Sequence, residues 1–183
     1  MDLARGAMTL ALPVTATDHV AGADHARVTG VEYGDFECPT CAAAAPAVRQ
    51  LRELHARELR FVFRHFPLED AHPHALVAAE AAEASAAQGQ FWAMHDLLLA
   101  NHRHLARSHL DGFAATLGLD LPRFKADLDD EIYRQRVREH QDGGRRSHIR
   151  VTPTFFVNGV VQDVSGGLSD LFAAVARELS HRG

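Results

Sequence analysis

Cys38 and Cys41 are the only cysteines of this chain and stand three positions apart, so a bridge between them closes a very short loop. Chain entropy makes such a staple weak, because the stabilisation grows with the loop that is closed. Reactivity explains this spacing better than mechanical support. The surroundings of the pair then narrow the fold. Val28 to Tyr33 has the β-branched and aromatic content of a strand and is ended by Gly34-Asp35. Pro39 suits the first position of a helix, where its missing amide has no intrahelical partner anyway. Ala44, Val48, Leu51 and Leu54 continue that helix at spacings of four, three and three, with Pro46 expected to kink it. From Leu59 to Phe66, Leu59, Phe61 and Phe63 alternate with Arg60, Val62 and Arg64, a half-buried strand pattern closed by Pro67. The cysteines therefore open the helix of a strand-helix-strand unit.

Between about 72 and 147 every signal is helical. Pro73 lies near one start, Ser108 with Asp111 gives a start resembling a capping box, and Gly118 is a stop; four or five short helices are expected. Strand character returns at Thr154 to Val157, turns at Asn158-Gly159, a strong hairpin signal, and continues through Val160 and Val161. Leu168, Leu171, Phe172, Val175 and Leu179 then share one face of a closing helix after Gly166-Gly167. Ahead of all this, residues 1–26 read as an N-terminal arm, with a strand around Thr9 to Leu12 and a loop around Asp18 to His25. Residues 27–183 read as one domain.

Composition excludes several function classes. With 183 residues, 46% hydrophobic and 23% charged, the chain has material for one ordinary core. A net charge of -5 argues against a nucleic-acid partner, which needs a basic stripe to neutralise phosphates. No apolar run reaches the roughly 18 residues of a membrane span. Arg5 and the apolar stretch Ala7 to Val14 could form a minimal export signal, but Asp2 and Pro13 interrupt it. A cytoplasmic location is expected.

A C-x-x-C pair alone is equally compatible with zinc. Here it follows a strand, opens a helix and is answered far downstream by Thr152-Pro153-Thr154-Phe155-Phe156-Val157-Asn158-Gly159. Together with Val31-Glu32-Tyr33-Gly34-Asp35-Phe36-Glu37-Cys38-Pro39 and Phe63-Arg64-His65-Phe66-Pro67, this resembles the DsbA-like branch of the thioredoxin superfamily, over about residues 27 to 182. Similar bacterial modules occur alone and fused to sodium/proton antiporters. The resemblance implies an α/β, thioredoxin-like fold: a central mixed sheet, with a helical block inserted between the second strand and the strand that follows a cis-proline. It also implies a cis Thr152-Pro153 bond facing the cysteines, and thiol-disulfide exchange with protein or peptide thiols and disulfides. Such chemistry requires no metal or organic cofactor, and its redox partner would be a small thiol or a thioredoxin system.

Cys38, at the helix N-terminus, is where amides and macrodipole favour a thiolate, and is assigned the nucleophile. Cys41, one turn in, is the resolving thiol. Glu32 matches the family's buried acid and would relay the Cys41 proton; strand register is open, so an outward, solvated Glu32 remains an alternative. Pro153 and Thr152 would form the platform beside Cys38, and Pro39, Thr40 and Phe36 would join Thr152 in contacting substrate. Thr40 departs from the strongly oxidising members, which carry histidine there. A less acidic Cys38 and a less oxidising disulfide are expected from that change. Two other functions share the motif: a peptide-binding module switched by its redox state, and a zinc site completed by histidines such as His72 and His74. His65 and Trp92 are expected in ordinary buried roles.

Overall fold

The structure is a computed structural model that describes residues 8–181, so the Asp2 and Arg5 part of the export reading lies outside it. Five strands form one mixed sheet in the order β1-β3-β2-β4-β5: β1 is His19–Ala21, β2 Val28–Gly34, β3 Leu59–His65, β4 Thr154–Val157 and β5 Val160–Gln162. β2 and β3 run parallel, joined by helix α1, Pro39–Leu54. The other neighbouring strands pair antiparallel. Asn158 and Gly159 turn the β4-β5 hairpin with φ of 47° and 80°, the left-handed conformations a two-residue turn of this kind needs.

Five helices fill the stretch between β3 and β4: α2 Ala75–Ala86, α3 Phe91–Ala100, α4 Arg107–Thr116, α5 Leu121–Asp129 and α6 Arg134–Arg146. Helix α7, Ser169–Ser180, closes the chain. The capping signal at Ser108 proves misplaced. Ser108 lies inside α4, whose N-cap is Ala106 with no side-chain cap, whereas the side chain of Asp120 does cap α5 by accepting from the Arg123 amide at 3.0 Å. Helix α1 spans Pro39–Leu54 as a single element with Pro46 inside it.

Two expectations fail for one reason. The stretch read as a loop around Asp18 to His25 contains β1, which pairs with β3 through His19↔Phe63, Val20↔Val62 and Ala21↔Phe61. β3 is consequently an inner strand with both faces covered, and Val62 and Arg64 are buried alongside Phe61 and Phe63. The half-buried pattern misled because Arg64 looks like a solvent residue. It is paired instead, its Nε and Nη2 donating to the two Asp18 oxygens at 2.8 and 2.9 Å and its remaining donors going to Leu12 O, Pro13 O and Tyr33 Oη. A buried charge holds only when fully paired. Asp18→Ala should therefore cost about 3–5 kcal/mol in urea unfolding, far above a surface ion pair; a change below 1 kcal/mol would remove this pair from the fold's support.

The sheet divides the core. On one face Val28, Phe61, Phe155 and Val157 pack with Val48 and Leu51 of α1 and with Leu171 and Val175 of α7. On the other, Val31, Tyr33, Val62 and Phe156 pack with Phe66 and Ile149, flanked by Met8, Leu10 and Val14 from the N-terminal segment. Thr9 bridges to Val160, covering the β5 edge. Gly144 of α6 sits so close to Phe66 that a Cβ would lie 2.5 Å from its ring, which lets this helix pack against the β3 end.

Candidate active site

The end of β2 delivers the site. Asp35, in the turn after the strand, accepts the Cys38 amide on its carbonyl at 3.2 Å and the Glu37 amide on its carboxylate at 2.8 Å. This turn sets Cys38 as the N-cap of α1 in extended conformation, φ −74° and ψ 123°, with Pro39 next. Cys38 is 6% exposed and Cys41, one turn further, is fully buried; both are free thiols. Pro39 and Thr40 face solvent. The loop before β4 completes the site from the other side. Its Thr152-Pro153 peptide is cis, the Thr152 carbonyl lies 3.5 Å from Cys38 Sγ, and Thr40 Oγ1 donates to that carbonyl at 2.8 Å while touching Cys38 Sγ at 2.9 Å.

The two sulfurs are driven apart in acidity. The hydrogen bond from Cys41 pulls the Cys38 thiol down to about 4; burial works against this, while Thr152, Thr40 and the Cys41 amide add to it. The Thr152 hydroxyl is buried and has no hydrogen-bond partner among the described residues. Cys41 moves the opposite way, well above the usual thiol range, because burial, the bond to Cys38 and the charges of Glu32 and Cys38 all disfavour its thiolate. The Asp35 amide, 3.5 Å from Cys41 Sγ, opposes this. With threonine where the strongly oxidising members carry histidine, the lowering of the Cys38 thiol comes from hydrogen bonds of Cys41, Thr152 and Thr40.

Residues 14–176 match the profile of the family described as Thioredoxin. The chain belongs to the thioredoxin family. Its architecture is that of the DsbA-like branch. It superposes on oxidised BdbD from Bacillus subtilis with a TM-score of 0.84 at 23% identity, covering 94% of this chain and 98% of that one. Wolbachia pipientis alpha-DsbA1 follows at 0.79 and 18%, covering 91% and 92%. Among curated sequences, a protein named Na(+)/H(+) antiporter NhaA 1 from Salinispora arenicola is 49% identical over 176 residues, which is 96% of this chain but 27% of that protein. The chain thus spans about a quarter of the length of the antiporter relatives it matches. No helix among the described residues is long and apolar enough to cross a membrane.

In this thioredoxin-like frame Glu32 points inward. Its register opposite Phe63 on β3 and Phe155 on β4 puts it on the sheet face that carries α1, where it is 2% exposed. Burial is the main reason its carboxyl is raised to about 8; the Arg52 guanidinium opposes and the Cys38 charge reinforces this. Arg52 itself stacks over Trp92 at 4.0 Å and leaves its buried Nε without a hydrogen-bond partner. The expected solvated alternative for Glu32 is thereby removed.

Phe36 departs from the expected set. At 1% exposure it stacks on Phe63, ring centroids 5.0 Å apart, so it is a core residue under the motif and has no face for a substrate. The histidines of the zinc alternative go elsewhere: His72 Nδ1 bonds Asp35 at 2.7 Å and His74 Nδ1 bonds Glu37 at 2.8 Å. His65 and His19 share one oxygen of Glu83, at 2.8 and 2.9 Å, whose other oxygen takes Arg136. Trp92 donates to Val20 O. Sequence reasoning missed Asp35 and Arg52. A signal existed for Arg52, which follows Cys41 and Val48 at helical spacing on a face otherwise apolar.

Proposed function

We propose that this chain is a thiol-disulfide oxidoreductase acting on protein or peptide substrates, with Cys38 as nucleophile and Cys41 as resolving thiol. The observation that carries the reading is a pair of free thiols one helical turn apart at the start of α1, with Cys38 against the Thr152-Pro153 loop; their opposed acidities support it. In the reducing direction, the Cys38 thiolate attacks a substrate disulfide and expels one substrate thiolate, leaving a mixed disulfide. Cys41 gives up its proton, with Glu32 as acceptor, and attacks the Cys38 sulfur. The Cys38–Cys41 disulfide forms and the second substrate thiolate leaves, two electrons having passed to the substrate. Run backwards, the steps place a disulfide in the substrate, and Cys38 departs as thiolate in the closing step. A leaving thiol of low pKa leaves fast, so the acidity of Cys38 favours this oxidising direction.

An open groove of about 600 Å³ beside the site supports a peptide substrate. Ala43 and Ala44 of α1, Val151, Pro153, Val161 and Leu168 give it apolar walls, and Val151 is 66% exposed at its rim. An extended chain laid there would pass Cys38 along the Thr152-Pro153 backbone edge. Transport, named for the antiporter relatives, is not carried over to this chain.

Titrating the Cys38–Cys41 pair in glutathione or dithiothreitol buffers, read by alkylation and intact mass, tests the proposal. A couple nearer −120 mV than −270 mV is expected. Such a couple pulls against a cytoplasmic location, where an oxidant would be held reduced, so the same titration bears on compartment and on whether a small thiol or a thioredoxin system regenerates the protein. Absence of any reversible couple would sink the oxidoreductase reading.

A further inference from the structure

The loop that follows β3 is fastened to the active-site turn by two imidazole–carboxylate bonds, His72 to Asp35 and His74 to Glu37. The two are not alike. Asp35 has no solvent-exposed side chain, and its carboxylate also accepts the Leu68 and Glu37 amides at 2.8 Å each, so it is held in place from several sides. Its own backbone contacts both cysteines, accepting the Cys38 amide and donating to Cys41 Sγ. His72, its side chain 18% exposed, is therefore held in one orientation against the turn that carries Cys38. His74 is 43% exposed and serves the outer rim.

We propose that His72 is a positioning residue for disulfide exchange: oriented by Asp35, its imidazolium is the fixed positive neighbour of the Cys38 thiolate that the motif itself lacks at Thr40. This deepens the proposed function and rests on it. His72 bonds Asp35, and the charges that act on it are Asp35, Cys38 and Glu37, all negative when ionised, with His74 the other ring on its own segment. Burial lowers the charged form of His72, but Asp35, the Cys38 sulfur and Glu37 together outweigh it, so His72 holds its proton above the usual histidine range. Linkage is reciprocal: a thiolate that favours the imidazolium is favoured by it to the same extent. Oxidation to the Cys38–Cys41 disulfide removes that thiolate, so His72 must bind its proton less tightly in the oxidised protein.

Two measurements test this. The first follows the His72 ring protons by NMR against pH in wild-type protein, reduced and oxidised. A midpoint higher in the reduced form is expected, and equal midpoints would overturn the inference. A ring serving only to tie the loop down would show no such difference. The second compares His72→Gln, which keeps a donor toward Asp35 but no charge, with His74→Gln, which loosens the outer clasp alone. The Cys38 titration, read from its pH-dependent reaction rate, should rise by on the order of one pH unit in His72→Gln and stay in place in His74→Gln. The reduction potential should fall in parallel, by about 30 mV for each tenfold loss. Unchanged titration and potential in His72→Gln, with an acidic wild-type thiol, would sink this inference alone. A wild-type Cys38 that titrates like an ordinary thiol would sink the proposed function and the inference together.

Discussion

At pH 5 the reduced protein should attack a small disulfide about 30 to 100 times faster than an ordinary thiol does, and at pH 7 this advantage should vanish. The reason is a competition between ionisation and nucleophilicity. With its thiol at about 4, Cys38 is almost fully ionised at pH 5, while a thiol at the ordinary value of 9.0 is about one part in 10⁴ thiolate. Attack strength, however, falls with basicity at a Brønsted slope of about 0.4–0.5, so five units of acidity cost about 10² or slightly more. The ionisation gain exceeds that cost at pH 5 and only matches it at pH 7. Stopped-flow rates from pH 3 to 8 should follow one protonation centred near 4. Cys41→Ser removes the largest contribution to Cys38 acidity and should move the midpoint upward. A wild-type profile that keeps rising beyond pH 8 would mean that Cys38 is an ordinary thiol.

Reduction should stabilise the fold at neutral pH and destabilise it in acid. Cys38 is at about 4 folded and 9.0 as a free side chain; between those values the unfolded chain binds one proton more, so stability of the reduced protein rises with pH by up to about 1.4 kcal/mol per unit. The contribution is complete above 9 and lost as pH falls through 4. At pH 7 it has a ceiling of about 4 kcal/mol, which solvent around a partly accessible sulfur trims. The oxidised protein instead gains about 2 kcal/mol from closing its very short loop. The reduced form should thus be the more stable at pH 7 by up to about 2 kcal/mol, with the order reversing near or somewhat above pH 5.4. Glu32, raised to about 8, adds the opposite slope between 4.5 and 8, stabilising below 4.5 and lost through 8. It is present in both redox forms and largely cancels in the difference. Urea unfolding of both forms at pH 4.5, 6 and 7.5 measures this; an oxidised form that is more stable at every pH would contradict the acidity assigned to Cys38.

Much of the fold could be read directly. The β4 strand, the Asn158-Gly159 turn and helix α7 are local patterns whose residues carry their own geometry, as are Pro39 and the helix it opens. Apart from the misplaced cap at Ser108, failures fell where a residue's partner is distant in sequence. Arg64 reads as solvent-facing until Asp18 is brought against it, and a three-residue edge strand such as His19–Ala21 has too few residues for a period to register. Phe36 lies near Cys38 along the chain, yet its ring belongs beneath the motif against Phe63.

By itself the sequence determined that two close cysteines, weak as a staple, open the helix of a strand-helix-strand unit, since spacing and helix-start chemistry are local properties; that the Thr152-Pro153 segment faces them is what the family resemblance implied. Only the tertiary structure decided the acidity of those cysteines. Strand register turned Glu32 inward, the packing of the loop before β4 brought Thr152 to Cys38, and the loop after β3 brought His72 to Asp35. Charge stabilisation depends on distance and burial, and both are set by which segments meet.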